Sequence, residues 1–272
     1  NVLQENPWSY DLLTFNKGKY LNRNKILVSR KHDEDFVNRY IHYFAQLGYS
    51  NGRLSLAYLL HERSTDDPVI PANGLGYGIG LIHSDDAGLS WHNWNSEGVS
   101  VPASTADISL LDGELDAKLV QNDFRSLSFI YDNDMAVLLA GKYSIDEKKW
   151  STTLFGLNDD SPLEKVVELN EPIYKSSLTS CGEGYVVVSE YLPSNGLSVE
   201  EGWANTETEI SISHVFDGGE YFISKPAELK FVDGQPHWYP STVKQLSNNY
   251  FIYFMFMVGA RDGEVSVILN RM

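Results

Sequence analysis

The sequence predicts an all-β protein built from repeated four-stranded units. Three observations carry that prediction: helical periodicity is nearly absent, hairpin signals recur every ~50 to 80 residues, and one turn has a specific spacing. That turn reads Ser84-Asp85-Asp86-Ala87-Gly88-Leu89-Ser90-Trp91 and fits S-x-D-x-G-x-[ST]-W. A strand ends at His83, the Asp86 side chain can cap the N–H groups of a tight turn, and Gly88 can take positive φ. Ser90 and Trp91 then open the return strand, where the indole can cover the apolar base of the turn.

Taken in order, the first strand pair is expected over residues 12–16 and 20–29, around Lys17-Gly18-Lys19. The second spans 40–49 and 54–60 around Ser50-Asn51-Gly52-Arg53, where Asn-Gly supplies the two positive φ angles of a type I′ turn. A more polar outer pair follows, made of 76–83, the 84–91 turn and the strand after it. The next inner pair is 126–131 and 135–140 about Asp132-Asn133-Asp134. Residues 177–181 and 185–191 pair about Gly182-Glu183-Gly184, with an outer pair at 208–213 and 220–224. Ser213 and Asp217-Gly218-Gly219 there look like a decayed copy of the 84–91 turn. The last pair is 241–246 and the aromatic run to Val258, turning at Asn248-Asn249. Four-stranded units at this period are the mark of a β-propeller, here of about five blades in a single domain over 1–272. A β-sandwich is the other all-β architecture, and the repeat period counts against it.

Composition fits a secreted or periplasmic protein of this class. The 16 Tyr, 12 Phe and 6 Trp suit half-buried strands and carbohydrate-facing surfaces. A net charge of −16 argues against nucleic acid and an anionic membrane as partners, while a local cluster of Arg and His can still hold an acidic substrate. The single Cys181 rules out an internal disulfide and reads as a small core residue. The most apolar stretch, 250–258, has strand length and cannot span a bilayer as a helix. The chain starts at Asn1 rather than Met, as expected if a leader has been removed or trimmed. Residues 64–74 and 192–205 read as long polar loops of the kind that carry binding groups.

The 84–91 turn resembles the Asp box, or BNR repeat, of sialidase-like propellers, with Ser84, Asp86, Gly88 and Trp91 in structural roles. The segment from Tyr40 to Tyr58, Trp94-Asn-Ser-Glu-Gly-Val-Ser-Val-Pro102, Phe124-Arg125 and Phe129-Ile-Tyr-Asp-Asn-Asp134 extend the likeness to about half the chain. They resemble BNR-type propellers that include lyases of uronate-containing polysaccharides such as ulvan, and neuraminidase-like proteins. The enzymes of that family usually have seven blades and a longer chain. The Arg-Ile-Pro motif expected of sialidases is missing, and this chain has eight Arg in all, so sialidase chemistry is disfavoured.

His42 and His61 bracket the second hairpin, so pairing about Asn51-Gly52 brings both to one end of that unit. The resemblance implies a pocket of His, Tyr and Arg that neutralises a uronate carboxylate, removes the C5 proton and expels O4. On that basis His42 and His61 are the base or carboxylate neutraliser and Arg125 the carboxylate clamp. Tyr40, Tyr43, Tyr58 and Tyr77 are candidate proton donors or substrate contacts. Trp203, Trp238, Trp8, His237 and Tyr239 are candidate sugar platforms, and each also suits an ordinary core or rim. The same holds for the His pair and Arg125, which can equally be structural hydrogen-bonding groups.

His32-Asp33-Glu34-Asp35 reads as a solvated charged loop, and Asp66-Asp67 and Asn158-Asp159-Asp160 as polar turns, so no metal or cofactor is expected. The expected activity is lysis of an acidic polysaccharide by a monomer. The alternatives are a non-catalytic glycan-binding propeller and a sialidase-like glycoside hydrolase.

Overall fold

A computed structural model describes residues 9–28, 41–62, 74–115, 119–132, 134–158, 161–169, 173–180, 184–191, 209–216, 221–224, 237–245, 251–258 and 266–271. Among these residues there is no helix, and every sheet is built of antiparallel neighbours. The chain divides into two compact units, Asn1–Phe124 and Arg125–Met272.

In the first unit, β1 (Ser9–Asn16) and β2 (Lys19–Val28) form a two-stranded hairpin. A second sheet runs β3 (Ile41–Ser50), β4 (Arg53–Glu62), β5 (Leu75–Ser84), β6 (Trp91–Asn93) and β7 (Gly98–Val99), while β8 (Leu110–Gly113) pairs with the far part of β5. Both hairpin turns are type I′ in φ: Lys17 47° and Gly18 77°, then Asn51 44° and Gly52 89°. The core gathers Leu56, Tyr58 and Leu60 of β4, Leu75, Tyr77 and Ile82 of β5, and Ile26 and Leu27 of β2, with Trp91 beside them.

Glycines make the close approaches in β5 possible. A Cβ on Gly76 would stand 1.9 Å from the Phe124 carbonyl oxygen, and one on Gly80 would stand 2.2 Å from the Tyr58 hydroxyl. Strand β5 therefore lets the start of the next strand and a tyrosine ring lie directly on its backbone.

That next strand, β9 (Asn122–Asp132), runs from the end of the first unit into the second. It edges a four-stranded sheet with β10 (Met135–Ser144), β11 (Lys149–Asn158) and β12 (Ser161–Leu169). A second four-stranded sheet holds β13 (Ile173–Ser180), β14 (Gly184–Tyr191), β15 (Glu209–Phe216) and β16 (Tyr221–Ser224). The third comprises β17 (His237–Gln245), β18 (Phe251–Val258) and β19 (Ser266–Arg271). Val137, Leu139 and Leu154 of the first of these sheets pack on Leu178, Tyr185, Val187 and Val215 of the second. Residues 136–141, 152–157 and 184–189 are buried without alternation, as strands covered on both faces must be. Several hydroxyls in this interior are paired: Ser189 Oγ with Ser211 Oγ at 2.8 Å, and Ser128 Oγ with the Ser176 carbonyl at 2.6 Å.

Each expected inner hairpin is present, displaced by a few residues at most, and the outer pair at 208–224 joins its inner pair in one sheet. Strands β7, β8, β11, β12 and β19 were not expected. The decayed turn at 217–219, Cys181, the 192–205 loop and all of the 64–74 loop but Gly74 lie outside the described residues.

Candidate functional site

Strands β3 and β4 pair in continuous register from Ser50↔Arg53 to Ile41↔Glu62, and His42 stands directly opposite His61. The pair lies at the open end of the hairpin, away from the Asn51-Gly52 turn. His61 is half-buried, and on its other side it faces Gly76 of β5. Register shifts there, between Leu60 and His61, so Tyr77 is the extra residue of a β-bulge. Bulges of this kind break the ladder and re-aim neighbouring side chains, and they are enriched beside functional sites.

A carboxylate that sequence reading missed lies at the same end. Asp123 is 2% exposed and accepts a hydrogen bond from the Gly76 N–H at 2.8 Å, while Phe124 covers the Gly76 Cα. Nothing local in the sequence marks Asp123, because its position depends on a strand far along the chain crossing β5. The next residue, Arg125, is half-buried in β9.

The candidate phenols are placed differently from the expectation. Tyr58 and Tyr77 are both 0% exposed within the unit's core, and the Tyr58 hydroxyl donates to the Ser109 carbonyl at 3.2 Å. Both side chains thus pack in the core of the first unit. Tyr40, Trp8 and Trp203 lie outside the described residues, as do the 32–35 and 66–67 acidic runs and Asp159 and Asp160. Trp238 falls in β17 opposite Met257, and Tyr239 and His237 are in the same strand. Among the described residues, no group of three or more His, Cys, Asp or Glu could hold a metal ion.

The 84–91 turn sits at the other end of β5. Leu54 pairs with Ser84 and Glu62 with Leu75, so the turn lies about 26 Å from Gly76 by strand rise. Asp86 is its hub. Its Oδ1 accepts from the N–H groups of Leu89 at 3.0 Å and Ser90 at 2.8 Å and from Ser84 Oγ at 2.8 Å; its Oδ2 accepts from Ser90 Oγ at 2.7 Å. Ser84 Oγ accepts from the Gly88 N–H, and the buried Trp91 indole N–H donates back to the Gly88 carbonyl. The Ser90 N–H and hydroxyl, then the Ser84 hydroxyl, hold the Asp86 carboxyl down at about 2. Gly88 has φ 90° and lies under Leu12 of β1.

A second pair of histidines belongs to this end. His83 and His92 are cross-strand partners whose rings stack at 5.8 Å. Asp85 is bound by Arg53 at 2.6 Å and lies 4.0 Å from His83; the Arg53 hydrogen bond keeps its carboxyl below the ordinary range. This cluster ties the Asn51-Gly52 hairpin to the 84–91 turn.

No family model matches the sequence, and no curated protein matches it either. Solved structures do match in fold. Polysaccharide lyase Uly1 superposes with a TM-score of 0.54 at 14% identity, over 94% of this chain and 50% of that one. A polysaccharide lyase described as a PL25 ulvan lyase gives 0.56 at 10% identity, over 97% of this chain and 58% of that one. The same lyase bound to -[GlcA(1-4)Rha3S]- gives 0.55 at 11% identity. This chain thus spans about half the length of the solved structures it matches. At these identities the likeness concerns the course of the chain, and it runs through nearly all of it.

Proposed function

We propose that this chain is a β-propeller of about five blades, one domain over 1–272, that cleaves an acidic, uronate-containing polysaccharide by β-elimination. The observation that carries the reading is the pairing of His42 with His61 beside the β5 bulge, in a chain whose fold is shared with ulvan lyases. One imidazole removes the proton from C5, next to the carboxylate. The C5 electron pair forms the C4=C5 double bond, the C4–O4 bond breaks, and the departing oxygen takes a proton. The reaction is redox-neutral, so its balance needs no cofactor.

His42 and His61 are assigned as base and carboxylate neutraliser, and Arg125 as carboxylate clamp, since a guanidinium pairs with a carboxylate in bidentate fashion. With Tyr58 and Tyr77 in the core, Tyr40 or Tyr43 is assigned as donor to the leaving oxygen. Tyr40, Trp203 and Trp238 are assigned as sugar contacts. Asp123 joins them as a positioning residue for the His61 end, through its bond to Gly76. Secretion or periplasmic export and a monomeric state complete the proposal.

The test is the ultraviolet absorbance of the unsaturated uronate product on a panel of uronate polysaccharides. His42→Ala and His61→Ala should each lower the rate by about 10²–10⁴-fold, the range for loss of a general base or acid. Full activity in both variants removes the pair from the mechanism. Binding of the same polysaccharides with no product absorbance replaces the lyase with a glycan-binding propeller. A reducing-end increase without that absorbance points to a hydrolase.

A further inference from the structure

The β1–β2 hairpin differs in charge from the protein as a whole. Four cations, Lys17, Lys19, Arg23 and Lys25, stand there against the single acid Asp11, in a protein of net charge −16. Arg23 is bound to Asp11; Lys17 and Lys19 flank the exposed tip, and neither has an ion-pair partner among the described residues. Beside them, Phe15 and Tyr20 are cross-strand partners, 58% and 57% exposed, with rings edge to face at 5.9 Å. Leu13 and Leu21 are also exposed. Isolated exposed apolar side chains are ordinary; an exposed cross-strand ring pair with further exposed leucines on the same hairpin marks an interaction surface.

The base of the hairpin is anchored. Ile26, Leu27 and Val28 are buried, and Val28 N–H and the Ile26 carbonyl both bond Ala103. The Tyr10 hydroxyl accepts from the Ala45 N–H, and Leu12 covers Gly88. The hairpin therefore runs from the middle of β3 toward the 84–91 turn, away from His61.

We propose that this hairpin is an auxiliary binding surface for an anionic glycan chain, separate from the His42–His61 end. Aromatic faces stack on the C–H faces of pyranose rings, and the two lysines meet the carboxylates or sulfates that flank them. Against a net charge of −16, this basic element offers an anionic chain a local attraction that the molecule as a whole does not. The choice of a glycan over another polyanion rests on the function proposed above, whereas the charge and the rings do not.

Binding is measured with dextran sulfate, polygalacturonate and neutral dextran, on the full chain. Two independent variants are used, Lys17→Ser/Lys19→Ser and Phe15→Ser/Tyr20→Ser, each checked for an unaltered thermal midpoint. The expected result is binding of one or both anionic polymers and not of dextran, weakened by salt, and reduced about tenfold in each variant, the equivalent of one or two lost stacking or charged contacts. The sulfate and carboxylate arms identify the anion. Wild-type binding that neither variant weakens overturns the surface and leaves the His42–His61 reading standing. Failure of the wild type to bind either anionic polymer overturns the surface, while product absorbance on the uronate panel decides the His42–His61 reading separately. Hairpin-dependent binding of phosphatidylglycerol vesicles or duplex DNA in place of glycans, or hairpin-dependent self-association in sedimentation, overturns the glycan assignment.

Discussion

Replacing Tyr58 with phenylalanine separates a core residue from a proton donor. Tyr58 is fully buried in the first unit's core, its ring lies on Gly80, and its hydroxyl donates to the Ser109 carbonyl at 3.2 Å. Tyr58→Phe keeps the ring and deletes one hydrogen bond, a loss of about 1 kcal/mol. For a chain of this size that lowers the thermal midpoint by roughly 2–4 °C. Tyr58→Ala also removes the ring and opens a void above Gly80, with a cost of about 3–5 kcal/mol. Thermal unfolding followed by tryptophan fluorescence reads both, since buried Trp91 belongs to the same cluster. Product absorbance on the same samples should show unaltered cleavage in Tyr58→Phe. A Tyr58→Phe variant with the wild-type midpoint and cleavage lowered ~100-fold or more would refute the core assignment and return the phenol to the chemistry.

Two further outcomes concern the 84–91 turn. Gly88→Ala meets both a φ of 90° and the Leu12 methyl, 2.3 Å from the new Cβ, and should lose about 1–3 kcal/mol in urea denaturation. Adding Leu12→Ala relieves the contact but not the backbone, so full recovery in the double variant would show that φ strain is not the cause. Asp86 is held at about 2 by Ser90 and Ser84, below its value in an unfolded chain of about 3.9. Its contribution is therefore present above about pH 4 and is lost as pH falls through 4 toward 2. The stability gap between wild type and Asp86→Asn should narrow over that interval; a gap independent of pH would contradict the turn's hydrogen bonding.

Much of the fold was legible because the information was local. Asn51-Gly52 and Lys17-Gly18 announce turns through the φ angles they accept, and the strands on either side follow. Strand β12 escaped notice because Pro162, Glu164, Lys165 and Glu168 are poor strand formers, and pairing with β11 supplies what propensity does not. At the candidate site, hairpin register alone brings His42 opposite His61, so that juxtaposition was readable from the chain. The bulge at Tyr77 and the approach of Asp123 were not, since both depend on which strand lies next to β5.

The sequence by itself determined the all-β class, the register that sets His42 opposite His61 and the Asp86-centred turn, because each rests on contacts within a few residues or across one tight turn. Only the tertiary structure decided which tyrosines are core. Tyr58 and Tyr77 lie in strands as Tyr43 and Tyr49 do, yet Tyr58 and Tyr77 are sealed in the core while Tyr49 is 66% exposed. Burial is set by the sheet that packs on a strand and by the glycines that let it come close, and neither is written in the strand's own residues.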